Sequence, residues 1–162
     1  MFIQFVTTGG TIDKIYHDAQ SDYEVGDPQV IDLLREAHVT FEYELASPFR
    51  KDSLDLTNAD RSEIAATVAA SKAECVIVTH GTDTMIETAE RLRGIPGKVI
   101  VLTGSLAPAR FKLSDAEFNL GMAIAAVQCL DHGVYIAMNG HVFTAGSVVK
   151  NRAKNRFEGI EP

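Results

Sequence analysis

A three-layer α/β fold, with helices on both faces of a mainly parallel sheet, is what this sequence predicts. Three observations predict it. Apolar strand-like runs recur along the chain, helical stretches with an apolar side fall between them, and glycines and hydroxyls gather where the runs end. Strand and helix in alternation imply right-handed βαβ crossovers, which set neighbouring strands parallel. In such sheets ligands bind beyond the carboxyl ends of the strands.

The strand-like runs are FIQFVT (2–7), FEYELAS (41–47), CVIVTH (75–80), KVIVLTG (98–104) and VYIAMN (134–139). Several are continuously apolar, which suits strands covered on both faces. The first helical stretch, DPQVIDLLREA (27–37), places Val30, Leu33, Leu34 and Ala37 on one side. The second, 57–73, opens on Thr57 as N-cap and carries Ile64, Ala65, Val68 and Ala69 at helical spacing. The third, DTMIETAERLRG (83–94), begins with an acid and stops at Gly94. The fourth, 114–133, starts with Ser114 and Glu117 in capping-box spacing and closes on Gly133. With no internal repeat or linker, residues 1–162 read as one domain.

Composition excludes several classes. At 162 residues and 46% hydrophobic, the chain can bury a sizeable core. A formal charge of -7, from 22 acids against 15 cations, meets a nucleic-acid backbone with its own sign. The cations cluster only in VVKNRAKNRF (148–157), expected as a solvated terminal helix or loop. Cys75 and Cys129 lack CxxC spacing and sit in apolar contexts, so both are expected as reduced core thiols. His17, His38, His80, His132 and His141 show no ligand spacing, and no metal is expected. The N-terminal MFIQFV is too short for a secretory apolar region, and no run is long enough to span a membrane. A cytoplasmic protein is expected.

The chemistry concentrates at two strand ends. In TTGGTID (7–13), Gly9 and Gly10 permit close approach to exposed amides, but the spacing is that of neither a dinucleotide fingerprint nor a triphosphate loop. In VTHGTDTMIETA (78–89), Thr82 and Asp83 fall where a helix begins and backbone amides are unpaired. Asp83 is open to two readings, as a cap or as part of a site.

The pair TTGGTID and VTHGTDTMIETA strongly resembles the two signature motifs of the bacterial-type L-asparaginases. The likeness continues through YEVG (23–26), DSLDLT (52–57) and VLTGSLAPARFKLSDAEFNLGMAI (101–124), and reaches about residue 150. The resemblance implies a Rossmann- or flavodoxin-like N-terminal domain and a cofactor-free amidohydrolase that turns L-asparagine into L-aspartate and ammonia, with L-glutamine as the second amide. It makes Thr11 the nucleophile, Tyr23 the residue that activates or shields it, and Thr82, Asp83 and Lys150 the second catalytic group. It assigns substrate contacts to Gly10, Ser53, Gly81, Thr82 and Asp83, Ser53 holding the α-carboxylate and Asp83 the α-amino group. Arg110, Ser114, Asp115 and Asn119 read as scaffold.

The residue chemistry is compatible with these roles. A threonine hydroxyl is a poor nucleophile until a neighbour takes its proton or stabilises its alkoxide. Amides at the strand ends suit the charge that develops on an attacked carbonyl oxygen. Two departures stand out. The family's smaller C-terminal domain, which contributes an acid across an intimate dimer, is expected to be absent, and self-association into a homodimer or larger oligomer is expected in its place. Leu54 occupies a position where many members carry a polar side chain beside the substrate carboxylate. Two other readings therefore stay open: a non-catalytic amino-acid-binding homologue acting as sensor or subunit, and an amidase for an amidated macromolecule such as aminoacyl-tRNA, touched by the basic tail.

Overall fold

The computed structural model describes residues 1–17 and 22–160; residues 18–21 and 161–162, part of the expected domain, and the side chains of His17 and Asp22 lie outside the described residues. The strands and helices in chain order are β1 (Phe2–Thr7), β2 (Lys14–His17), β3 (Asp22–Val25), α1 (Val30–Glu36), β4 (Glu42–Ala46), α2 (Asn58–Ala70), β5 (Cys75–Thr79), α3 (Met85–Leu92), β6 (Val99–Thr103), α4 (Ala116–Cys129), β7 (Gly133–Met138), β8 (His141–Thr144), β9 (Val148–Asn151) and β10 (Arg156–Gly159). Six strands form one sheet in the order β4-β1-β5-β6-β7-β8. Its first five run parallel, and β8 pairs antiparallel with β7. The pairs β2/β3 and β9/β10 are separate antiparallel hairpins.

The continuously apolar runs are explained by the side-chain period of a strand, which sends successive residues to opposite faces. Val76, Val78, Ile100 and Leu102 join Ile64 and Val68 of α2 and Met85 and Leu92 of α3 on one face. Ile77, Val99 and Val101 join Val30 and Leu34 of α1 and Leu120, Ala123 and Val127 of α4 on the other. The first core continues into Val148 and Phe157, so the C-terminal hairpin is packed onto the domain.

Several expectations are corrected. The tail 148–157 is neither a helix nor a plain loop but the β9–β10 hairpin, and its cations are mostly paired: Lys154 and Arg156 reach Glu158, while Lys150 and Arg152 reach Asp83. Cys129 is exposed at the end of α4 and Cys75 is half-buried, so the two free thiols are not core residues. The fourth helix starts at Ala116 and ends at Cys129; Gly133 opens β7 instead of capping the helix. No Ser114–Glu117 box forms, because the Asp115 carboxylate is engaged by the amides of Leu106 and Ala107 and by Asn119, while the Ser114 hydroxyl accepts from the Ala116 amide. That network, with Asn119 also donating to the Gly104 carbonyl, ties the β6–α4 loop to its helix, the scaffold role expected for these residues. The first helix begins three residues late, at Val30, and leaves Ala37 exposed; Ala69 of α2 is exposed as well. The α2 cap is as expected: Thr57 accepts from the Asp60 amide while Asp60 accepts from the Thr57 amide.

Candidate active site at the strand ends

Because β1 and β5 are adjacent and parallel, with Thr7 opposite Thr79, their carboxyl ends deliver TTGGTID and HGTDT side by side. The chain turns sharply there. Gly10 has φ +91°, and a Cβ added to it would stand 2.4 Å from the Gly81 nitrogen and 2.5 Å from its Cα. Gly81 in turn faces Ser53, whose Oγ would lie 2.5 Å from a Cβ at position 81. Glycine at 10 and 81 is thus what lets three segments stack backbone to backbone. Hydrogen bonds fasten the stack: the Lys51 amide donates to the Thr8 carbonyl (3.0 Å), the Thr8 hydroxyl to the Thr79 carbonyl (3.0 Å), and the Thr84 hydroxyl to the Ser53 carbonyl (2.8 Å).

Ser53 is buried in a short 3-10 turn, Ser53–Asp55, capped by Asp52, and Leu54 beside it is 65% exposed. Thr82 is buried and Asp83 partly so. Asp83 is no helix cap, since α3 begins at Met85. It meets cations instead. Lys150 Nζ, from β9, donates to Thr82 Oγ1 at 2.8 Å and to Asp83 Oδ1 at 2.9 Å, and Arg152 lies 3.5 Å from the same carboxylate oxygen. The Asp52 carboxyl is held below the usual carboxylate range: burial pushes it up, but the hydrogen bond from Lys14, the Leu54 amide and the charges of Lys14 and Lys150 outweigh that.

His80 supports this loop from beneath. It is fully buried; Nδ1 lies 2.7 Å from the Gly81 carbonyl and Nε2 2.8 Å from Thr88 Oγ1. A carbonyl can only accept, so Nδ1 carries the proton and Nε2 accepts from the hydroxyl. Burial pushes the imidazole down to about 4, against the Gly81 hydrogen bond, which favours protonation, so it is neutral at physiological pH.

Thr11 opens a second 3-10 turn, Thr11–Asp13, directly after the Gly10 contact, and is half-buried. Tyr23 lies on the β2–β3 hairpin that follows this turn. It is 47% exposed, with its ring against Tyr16 (5.2 Å between centroids) and Phe111 (6.3 Å). The structure thus joins Gly10, Ser53 and Gly81 in one backbone stack and Thr82, Asp83 and Lys150 in one polar cluster, with Thr11 following Gly10 in the chain and Tyr23 on the β2–β3 hairpin against Tyr16 and Phe111. Sequence reasoning gave no role to His80, the first residue of its own HGTDT motif, to Asp13, the last of TTGGTID, or to Arg152 as a partner of Asp83. For His80 and Asp13 the motif itself was the available signal. Among the described residues no group of three or more His, Cys, Asp or Glu could hold a metal ion.

Fold and loops together define a doubly wound α/β domain with a polar site at the carboxyl edge of its parallel strands. The family model described as asparaginase, N-terminal, matches residues 3–160. The chain is 40% identical over 80 residues to the glutaminase-asparaginase of Acinetobacter glutaminasificans, an alignment covering 46% of this chain and 24% of that protein. It is 32% identical over 111 residues to the glutaminase-asparaginase of Pseudomonas aeruginosa, covering 63% and 31%. Its structure resembles L-asparaginase I of Vibrio cholerae (TM-score 0.82, 28% identity) and the thermostable L-asparaginase of Thermococcus kodakarensis (TM-score 0.83, 25% identity), each over 98% of this chain and 51% of theirs. The chain belongs to the asparaginase family and spans about half the length of these solved relatives.

Proposed function

We propose that residues 1–162 form an amidohydrolase domain acting on the side-chain amide of L-asparagine, with L-glutamine as the weaker substrate. In this reading Thr11 Oγ attacks the amide carbon, its proton passes to the departing nitrogen, and the C–N bond breaks to release ammonia. Water then cleaves the Thr11 ester, giving L-aspartate. Thr82, Asp83 and Lys150 form the second catalytic group: the ammonium stabilises an oxyanion on Thr82 or on the substrate. Ser53 and the amides beside Gly10 and Gly81 receive the α-carboxylate, and Tyr23 closes over Thr11 from the hairpin. One methylene separates asparagine from glutamine, worth about 1 to 3 kcal/mol in a fitted site.

The observation that carries this reading is Lys150 Nζ at 2.8 Å from Thr82 Oγ1, on the loop whose Gly81 lies against the residue preceding Thr11. The pairing of the tail cations with Asp83 and Glu158 favours it over an amidase for aminoacyl-tRNA, which would need those cations for phosphates. Two features of the setting belong to the proposal. One is self-association, supported by a cleft of about 240 Å³ lined by Leu33, Leu34, Leu120 and Ile124 together with Glu36 and Glu117, with Phe118 exposed on α4. The other is a cytoplasmic location; among related proteins, one from Campylobacter jejuni is described as a probable cytoplasmic L-asparaginase and one from Haemophilus influenzae as a probable periplasmic one.

Ammonia release from L-asparagine tests the core of the reading. Wild type is expected to be active and Thr11→Ala to lose at least about a thousandfold, the usual scale for removing a nucleophile together with its covalent route. Equal rates from the two proteins would reject Thr11. Binding of L-aspartate with no ammonia from wild type would leave the amino-acid-binding homologue in its place.

A further inference from the structure

Asp13 follows Thr11 by two residues, is 2% exposed, and takes no part in the chemistry above. All of its polar groups for which partners are described serve one purpose. Its amide donates to the Gly10 carbonyl (3.2 Å), closing the turn, and its carbonyl accepts from the Gly26 amide (2.8 Å). Its Oδ1 accepts from the backbone amide of Gln29 at 2.8 Å. Gln29, itself 4% exposed, is held at its other end: Nε2 donates to the Asp27 carbonyl (2.7 Å), and Oε1 accepts from Arg110 Nε (2.7 Å). The β6–α4 loop that carries Arg110 returns to the same turn, where the Ala109 amide donates to the Ile12 carbonyl (3.1 Å).

We propose that Asp13 is a positioning residue for Thr11: its carboxylate locks the Thr11 turn to the Gln29–Arg110 brace, and the turn is held for reaction while that carboxylate is ionised. The inference rests on the reading of Thr11 as nucleophile. A charge-assisted hydrogen bond is roughly twice as strong as a neutral one, so protonation loosens the lock without removing it. The charged groups facing Asp13 agree with such a role. Arg50, from the segment before the Ser53 turn, draws the carboxylate toward its ionised form, but is itself engaged by Asp27 at 2.5 Å. Lys14, the next residue, is committed to Asp52 at 2.6 Å, and Arg110 to Gln29. No cation is therefore dedicated to Asp13 among the ion pairs of the described residues, and burial dominates: its carboxyl is raised to about 6. The lock is set to engage just below neutral pH.

The test compares wild type with Asp13→Asn, which keeps an oxygen acceptor for the Gln29 amide but cannot ionise. kcat/KM for L-asparagine and calorimetric affinity for L-aspartate are read from pH 4.5 to 8, with thermal unfolding at each pH to establish that the variant is folded. Wild type should rise through an inflection near pH 6, carried by kcat more than by KM. Asp13→Asn should lose that inflection and sit about tenfold below wild type at pH 8, a loss in keeping with misplacement of a reacting group by a fraction of an ångström. Asp13→Glu, ionisable but longer, should keep an inflection at reduced rate. An active wild type whose profile Asp13→Asn reproduces overturns the proposal alone. A wild type that does not hydrolyse asparagine, whether or not it binds aspartate, overturns the functional reading, and this proposal with it.

Discussion

Asp13 costs the fold stability when it ionises. Its folded-state pKa of about 6 lies above the ordinary 3.8, so the native state binds its proton more tightly than the unfolded chain does. The stability it contributes is complete below about 3.8 and is lost as pH rises through 6. A difference of that size between the folded and unfolded chain corresponds to about 3 kcal/mol. Replacing it with asparagine removes that dependence. The stability difference between Asp13→Asn and wild type should therefore move by about 3 kcal/mol in favour of the variant between pH 4 and pH 7, read by denaturant titration at both. A constant difference across that range would refute the burial argument. Thr57 gives a simpler prediction: losing its reciprocal cap with Asp60 through Thr57→Ala should cost about 1 kcal/mol. That cap was legible, because Thr57 precedes a helical pattern and nothing else competes for it. Ser114–Glu117 has similar spacing and misled, because Asp115 is claimed by the Leu106 and Ala107 amides from a loop eight or nine residues upstream. Tertiary partners of that kind leave no trace in local spacing.

At the scale of elements, the five parallel strands and four helices could be read because each carries an apolar face that must be covered. The antiparallel additions, the β2–β3 and β9–β10 hairpins and β8 at the edge beside β7, could not. Four of their strands have only four residues and are rich in charge: KIYH, DYEV, VVKN and RFEG. Their stability comes from packing on the domain, as with Val148 and Phe157, not from a pattern of their own. The two motif loops were visible as loops, while their contact follows from the adjacency of β1 and β5, which no local signal carries. A side chain between them is testable. Gly10→Ala places a methyl within 2.5 Å of Gly81 backbone atoms at a φ of +91°, so the loops must part. Ammonia release should fall at least about a hundredfold, while the unfolding midpoint drops by only a few degrees, since the strain sits at the sheet's edge and not in its core. A fully active Gly10→Ala would show that the loops need not touch.

Over the whole molecule, two buried groups titrate in opposite senses. His80 is held near 4, below its ordinary 6.5, so its contribution is complete above about 6.5 and lost as pH falls through 4. Asp13 does the reverse over nearly the same interval. Each effect is about 3 kcal/mol, and they offset, so these two residues leave wild-type stability nearly flat from pH 4 to 6.5. The flatness is a property of the pair. Asp13→Asn should unmask the His80 titration as a steep loss of stability below pH 6, and a variant that stays as flat as wild type would break the account.

The bond from Lys150 back to Thr82 crosses 68 positions of sequence, and every strand of the main sheet lies before it. Contacts of such separation form late, because the chain between them must be ordered first. During synthesis, then, the emerging polypeptide can assemble its sheet while the cluster around Asp83 still lacks its ammonium. Any hydrolytic competence that depends on this lysine must switch on in a single step, when the β9–β10 hairpin docks, and a ribosome-bound fragment ending before β9 should be shaped like the domain's main sheet yet chemically silent.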